Sequence, residues 1–533
     1  MNKTALLIIL FPLSVAGQAN RYFISFKDKA NTTYSVADPT KFLSQKSIDR
    51  RRQENFMTTE EDFPVNSSYV AQVKATGAKT YFTSRWFNGV LVQTDPFTAH
   101  YIIQALPFVS SVEYVAPGAK LIGGRKSAST KFETISNTVA LINQAQLKMI
   151  GLDEMHAAGY LGEGVDVALF DDGFIGADTI SGFKPLFNEG RIKAAFNFVD
   201  NTTNIYSADN HGTATLSILA GNTNTFSGSA YKANFFLYQT EDVFTEYRVE
   251  EYNWAFAAER ADSAGVVVIS SSLGYSEFDD FTMNYAYKNM DGKTTVVTRA
   301  ARKAFERGIS VVNAAGNEGS RLWRYIVAPA DVDGVIACGG VDLTGTKASF
   351  SSVGPSADKR IKPDVSALAV GTNIFSTTGS VVSGSGTSFS CPLIAGLVAG
   401  LRQALPRVSA REIYTIVINS ASQAAKPDNL LGYGIPNFTK AKNYFDAQPD
   451  FEIYPNPVAS SDALKILFKD PQGQNVGIVV FNTAGQKVTD ISIAETADNN
   501  PFGLDFSAMA AGLYFVKVQT PTTSKVLRVL RVN

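Results

Sequence analysis

Five short runs of almost unbroken apolar character constrain this chain more than any other feature: VDVALF (165–170), ANFFLYQ (233–239), GVVVISSS (265–272), GISVVNAA (308–315) and GVIACGGVD (334–342). Between them lie stretches with helical character at 211–220, 249–264 and 298–307. A strand that is apolar at nearly every position, rather than at every second one, has both faces buried. That is the signature of a parallel sheet covered by helices on each side. The sequence therefore predicts an α/β domain over about 144–447. Ligands in such folds bind beyond the carboxyl ends of strands, and Asp171 follows one run directly while Asn317 follows another.

Asp171 is one member of a chemically coherent set. His211 lies in HGT, and Ser388 lies in GSGTSFSCP (384–392). A hydroxyl is a poor nucleophile at neutral pH and needs a base within hydrogen-bond reach, with a carboxylate to hold that base in the right tautomer. The chain order Asp, His, Ser supplies all three, so an exported serine peptidase is the first reading. The other two histidines, His100 and His156, have no comparable context and read as structural.

Composition closes off other classes. With 48 basic and 49 acidic residues scattered along the chain, nothing marks a nucleic-acid surface, and Arg50-Arg51-Arg52 reads as a solvated helix face. Two cysteines, Cys338 and Cys391, make neither a disulfide scaffold nor a zinc site. They could be bonded or be two buried thiols, and their small, apolar surroundings favour thiols. The chemistry requires no cofactor and no catalytic metal. The acidic segment EFDD (277–280) with Asp291 offers oxygens to a structural calcium ion, although a solvated loop is the simpler reading.

The flanks differ in texture. Residues 1–17 combine Lys3, an apolar stretch from Ala5 to Val15 and small residues at Ala16 and Gly17, the pattern of a cleaved export signal. Residues 18–120 alternate short strands with a helical segment, as in a small α+β domain. Residues 121–143 are polar, basic and glycine-containing, a linker open to a maturation cut. Residues 448–533 carry alternating strands such as LKILF, VGIVVFN and GLYFVKVQT, which predict a small β-sandwich.

Taken together, Asp171-Asp172-Gly173, His211-Gly212-Thr213, Ser272-Leu273-Gly274, the Ala314–Gly319 segment AAGNEG and Gly386-Thr387-Ser388 resemble the subtilisin family of serine peptidases. The resemblance implies Ser388 as nucleophile, His211 as general base and acid, and Asp171 as the carboxylate orienting it. It implies Asn317 as oxyanion donor. It places Ser272, Leu273, Gly274, Ala314, Ala315 and Gly316 in the walls that bind substrate. Asp172 departs from the Ser or Thr usual after the catalytic Asp, and Phe389 from the usual Met. Neither change removes a catalytic atom.

The N-terminal domain, with SRWFNGV (84–90) and VEYVAP (112–117), is similar to the propeptides of this family, which inhibit the enzyme they precede. The last domain, opening on YPNP and closing on GLYFVKV and a basic-apolar strand, resembles the sorting domain read by the type IX secretion machinery of Gram-negative bacteria. The expectation is a monomeric endopeptidase acting on protein or peptide substrates. It would be inhibited by its own propeptide and reach the medium or cell surface through the periplasm. A processing protease for one partner, or an inactive surface-binding relative, are the alternatives.

Overall fold

The computed structural model describes residues 19–54, 56–118, 133–134, 143–459, 461–469, 473–494, 501–521 and 523–533. The expected export signal at 1–17 and nearly all of the 121–143 linker lie outside the described residues.

The five apolar runs all enter one parallel sheet of seven strands, in the order Val365–Leu368, Ile336–Val341, Ser310–Ala314, Val268–Ser271, Asp166–Asp171, Asn234–Gln239, Ile192–Asn197. Both faces are buried, as the runs require. Val167, Leu169, Val268 and Val312 point into one core with helices His211–Ala220 and Thr387–Ala404. Ala168, Phe170, Ile269 and Val311 point into a second core under helices Val249–Ala264 and Val296–Glu306. The two strands without an apolar run are the edges. Ile192–Asn197 is only half buried, so its pattern carries a weak signal, and Val365–Leu368 is only four residues long. The helix expected from 298 begins two residues earlier, because the Thr295 hydroxyl accepts the Thr298 N–H at 3.1 Å and caps the first turn.

The N-terminal domain is a four-stranded antiparallel sheet in the order Lys79–Ser84, Gly89–Thr94, Asn20–Phe26, Val109–Pro117. Its first strand alternates strictly. Tyr22, Ile24 and Phe26 enter the domain's own core, whereas Phe23 joins Leu91 and Trp86 in the core beneath the Val249–Ala264 helix. The domain is thus seated by one sheet face on the central domain.

Charge seals that interface, and here the reading of Arg50–Arg52 as a solvated face fails. Arg50 is 3% and Arg51 1% exposed, and only Arg52 faces solvent. The helix Gln45–Gln53 lies against Val249–Ala264, and Asp262, fully buried there, takes the guanidinium groups of Arg50, Arg51 and Arg85. Burial pushes the Asp262 carboxyl up, but Arg51, Arg85, Arg50 and Arg307 outweigh it and hold the group at about 2. The SRWFNGV segment makes the second ionic seat. The Ser84 hydroxyl and the Arg85 and Trp86 N–H groups all donate to the Glu259 carboxylate. Gly89 is required because a Cβ there would come within 2.4 Å of the Ile24 carbonyl on the neighbouring strand.

The last domain is a sandwich, as expected. A three-stranded sheet (Phe451–Tyr454, Ala463–Phe468, Phe502–Asp505) and a four-stranded one (Lys487–Ala494, Asn475–Asn482, Gly512–Gln519, Ser524–Arg531) share one core built from residues such as Leu464, Ile466, Ile478, Val516 and Val529. Among the described residues, no helix is long and apolar enough to cross a membrane.

Candidate active site

Asp171 is the last residue of its strand, near the centre of the sheet, and it is 1% exposed. Its Oδ1 lies 2.6 Å from Nδ1 of His211, the first residue of the next helix on that face. The same oxygen accepts the Asp172 N–H at 2.9 Å, and Oδ2 accepts the Thr215 hydroxyl at 2.9 Å. A carboxylate held by these contacts has one orientation, and so does the imidazole it grips. Gly212 is what lets the His211 helix approach. A Cβ there would stand 2.3 Å from the Gly173 carbonyl and 3.0 Å from Asp171 Cβ.

Ser388 is the second residue of the 18-residue helix Thr387–Ala404, which packs on both the His211 helix and the central strands. Its Oγ donates to the Ser272 carbonyl at 3.4 Å, and the Ser272 hydroxyl donates back to the Ser388 carbonyl at 2.9 Å. The neighbouring Phe389 ring lies 6.1 Å from the His211 ring, centroid to centroid, so Ser388 opens its helix beside the imidazole. At this helix start the amide N–H groups and the positive dipole end favour a developing anion.

Asn317 follows the strand Ser310–Ala314 and reaches the same helix start. Its Oδ1 accepts both the Thr387 N–H (2.9 Å) and the Thr387 hydroxyl (3.0 Å). A backbone N–H can only donate, so this fixes the amide's sense and leaves Nδ2 as a preoriented donor. Ser272, Leu273, Gly274, Ala314 and Gly316 join Asn317 and Ser388 in lining one cavity of ≈ 280 Å³. Ala315 is the exception. It is fully buried in a small core with Ile326, Ala330 and Ala337, because successive residues leaving a strand alternate in direction.

Other expected features find their places. Cys338 and Cys391 are both free and buried, and Cys391 Sγ donates to the Ser271 and Val312 carbonyls at 3.5 and 3.4 Å. Burial, and then the contact with Cys391, push the Cys338 thiol up, away from reactivity. The acidic calcium candidates do not converge among the described residues. Asp280 caps a turn through the Thr282 N–H and hydroxyl, Asp291 caps another through Lys293 and Thr294, and Asp279 accepts the Glu246 N–H. Two groups do gather enough ligand atoms for a metal: Asp171, Asp172 and His211 in the site itself, and Glu241, Glu246 and Glu250. Sequence reading missed Thr215, although its position one turn after His211 was a usable signal.

A buried carboxylate–imidazole pair beside a helix-start serine and an oriented amide, at the carboxyl edge of a parallel sheet, define a serine peptidase site of subtilisin type. The chain belongs to the subtilase family, whose model matches residues 162–434. It is a serine endopeptidase with two accessory domains. Residues 21–132 match the peptidase S8 propeptide domain of Bacteroidota, and residues 452–531 match a secretion system C-terminal sorting domain. Among curated relatives, Subtilisin DY of Bacillus licheniformis is 27% identical over 279 residues, covering 52% of this chain and 90% of that one. Subtilisin of Bacillus pumilus is 30% identical over 258 residues, 48% of this chain and 82% of that one. MycP1 of Mycobacterium smegmatis is a solved structure with 21% identity and a TM-score of 0.46, covering 58% of this chain and 87% of that one.

Proposed function

We propose that this protein is an exported endopeptidase, made as a self-inhibited precursor, that hydrolyses peptide bonds through an acyl-enzyme. The single observation that carries this reading is the 2.6 Å contact between Asp171 and His211, made beside the helix start where Ser388 stands. Ser388 Oγ attacks the carbonyl carbon while His211 Nε2 takes its proton, and Asp171 stabilises the imidazolium without itself being protonated. The tetrahedral oxyanion is held by Asn317 Nδ2 and the Ser388 N–H. His211 returns the proton to the leaving amine, and water repeats the sequence on the ester. The segment Ser272–Gly274, which leaves the sheet at the cavity wall, pairs with extended substrate backbone.

The propeptide is read as the inhibitor of this cleft. Supporting that, it is seated on the catalytic domain by Phe23, Leu91 and Trp86, and its last strand, Val109–Pro117, leads to Gly118 in a hollow lined by Asp242, Thr245 and Tyr247. The domains divide at about 120, 143 and 447, with maturation cutting the intervening linker. Export runs through the periplasm, directed by the sorting domain, to the medium or the cell surface. The test is hydrolysis of unstructured casein by Ser388→Ala and His211→Ala. Each is expected to lose at least about a thousandfold in kcat while keeping its fold. Turnover near wild type in either would remove the triad.

A further inference from the structure

The cavity beside Ser388 is lined mostly by acids. Five of its side chains are carboxylates, Glu241, Glu246, Glu277, Asp279 and Glu318, and among the described lining residues the one cation is Arg321. We infer that this cavity selects a lysine or arginine side chain on the acyl side of the bond that is cut. The inference rests on the peptidase reading and adds the substrate class to it.

Three observations carry it. First, Glu241 and Asp279 are held by neutral donors and Glu318 by one exposed cation. Glu241 accepts from the Tyr275 and Thr240 hydroxyls, and Asp279 from the Glu246 N–H, which are contacts that bring no full positive charge. Arg321 approaches Glu318 only at 3.4 Å, and with its side chain 46% exposed it holds that carboxylate weakly and can be displaced by a substrate cation. Burial pushes the Glu318 carboxyl up and the field of Glu277 adds to it, against the lowering influence of Arg321, so this one cation only partly offsets the other two effects. A concave site with like charges on low-dielectric walls concentrates ligands of opposite sign.

Second, the shape suits a long, thin side chain. Val327 stands between the two walls. A Cβ on Gly274 would lie 2.2 Å from its Cγ2, and a Cβ on Gly316 would lie 3.0 Å from the same atom. Its isopropyl group narrows the slot against a broad ring, whereas a methylene stem passes along it and leaves the charged head among the carboxylates.

Third, the chain's own sequence supplies such a substrate. The propeptide's last strand ends at Pro117, and Gly118 shares a hollow with Asp242, Thr245 and Tyr247, part of the same loop that gives Glu241 and Glu246 to the cavity. The sequence that follows contains Lys120, Arg125, Lys126 and Lys131 within fourteen positions of Pro117.

The test uses the processed enzyme, first titrated with a fluorophosphonate to count working sites. Internally quenched peptides differing only at the residue before the scissile bond (Arg, Lys, Leu, Phe, Glu) are then compared. The Arg and Lys peptides are expected to exceed Leu and Phe by at least about tenfold in kcat/KM, with Glu the poorest. Glu318→Gln, or Glu277→Gln should the first fail to fold, is expected to cut the Arg-to-Leu ratio by about tenfold, chiefly through KM. The mature N-terminus is expected to follow a lysine or arginine. A labelled enzyme that prefers Leu or Phe, or whose ratio neither variant changes, overturns the basic preference alone. An enzyme that takes no label overturns the peptidase reading with it.

Discussion

Thr215 shows how finely the site is tied to its helix. Its hydroxyl is the partner of Asp171 Oδ2, deep in the structure, so Thr215→Val strands a buried carboxylate oxygen at a cost of about 1–3 kcal/mol. We expect kcat to fall about tenfold with KM unchanged and Thr215→Ser to restore it, as measured by steady-state peptide hydrolysis; equal loss in both variants would mean Thr215 acts only through packing. For Asn317→Leu the expected drop in kcat is the one already known for the oxyanion amide of subtilisin itself, about a hundred- to a thousandfold. A KM effect of that size instead would assign Asn317 to ground-state binding. At this scale the sequence was most informative. Asp171, His211, Asn317 and Ser388 sit in short segments whose glycines and small residues are dictated by close approach, as Gly212 is by Asp171 and the Gly173 carbonyl. Ala315 was misplaced because a run of small residues does not reveal which of its members turns inward. The acids of the cavity were invisible as a set, being gathered from three separated segments.

Between elements, the packing of the helices Gln45–Gln53 and Val249–Ala264 turns on one carboxylate. Replacing Asp262 by Asn leaves Arg50, Arg51 and Arg85 without their shared counter-charge in a buried setting, a cost of about 3–5 kcal/mol. Inhibition of the mature Asp262→Asn enzyme by separately prepared residues 19–118 should therefore weaken by about a hundredfold or more; an unchanged inhibition constant would place the affinity in the apolar contacts of Trp86 and Phe23. The buried arginines also explain why Arg50–Arg52 read as a surface run. Composition cannot tell a solvated cluster from one facing acids more than two hundred residues away.

The opposite end of the Val249–Ala264 helix predicts a pH effect. Burial raises the Glu251 carboxyl to about 7, against the lowering influence of hydrogen bonds from Tyr285 and the Val297 N–H. Between its ordinary value of 4.5 and about 7 the folded chain holds a proton that the unfolded chain does not. This contribution to stability is therefore present at low pH and lost as pH rises through that window, by up to about 1.4 kcal/mol per pH unit. In the Ser388→Ala precursor, Glu251→Gln should flatten the decline of Tm between about pH 5 and 7. A parallel decline in both proteins would mean Glu251 does not titrate there.

At the scale of the whole molecule, the large hydrophobic assemblies among the described residues are the propeptide's own core, the two-faced core of the catalytic sheet, and the sandwich core around Ile466 and Ile478. The sandwich buries its own apolar strands without borrowing from the catalytic core, so removing residues 450–533 should leave casein hydrolysis within about twofold. In the native host the shortened enzyme should be retained in the periplasm, as cell fractionation would record; normal release would assign the domain another role. The parallel sheet was legible because strands buried on both faces write themselves as apolar runs. The edge strand Ile192–Asn197 was not, because its exposed side breaks the run. The seating of the propeptide was not legible either, since Phe23, Trp86 and Asp262 look individually like ordinary core and helix residues and acquire meaning only in contact.

The proposed function turns on a serine nucleophile kept latent by the domain that precedes it. The most direct measurement treats the mature enzyme, alone and with an excess of residues 19–118 bound, with a fluorophosphonate and locates the adduct by peptide mass spectrometry. A single adduct on Ser388 is expected in the free enzyme, with that labelling slowed by at least about tenfold in the complex. An adduct on another residue, no adduct at all, or equal labelling with and without the bound domain would contradict it.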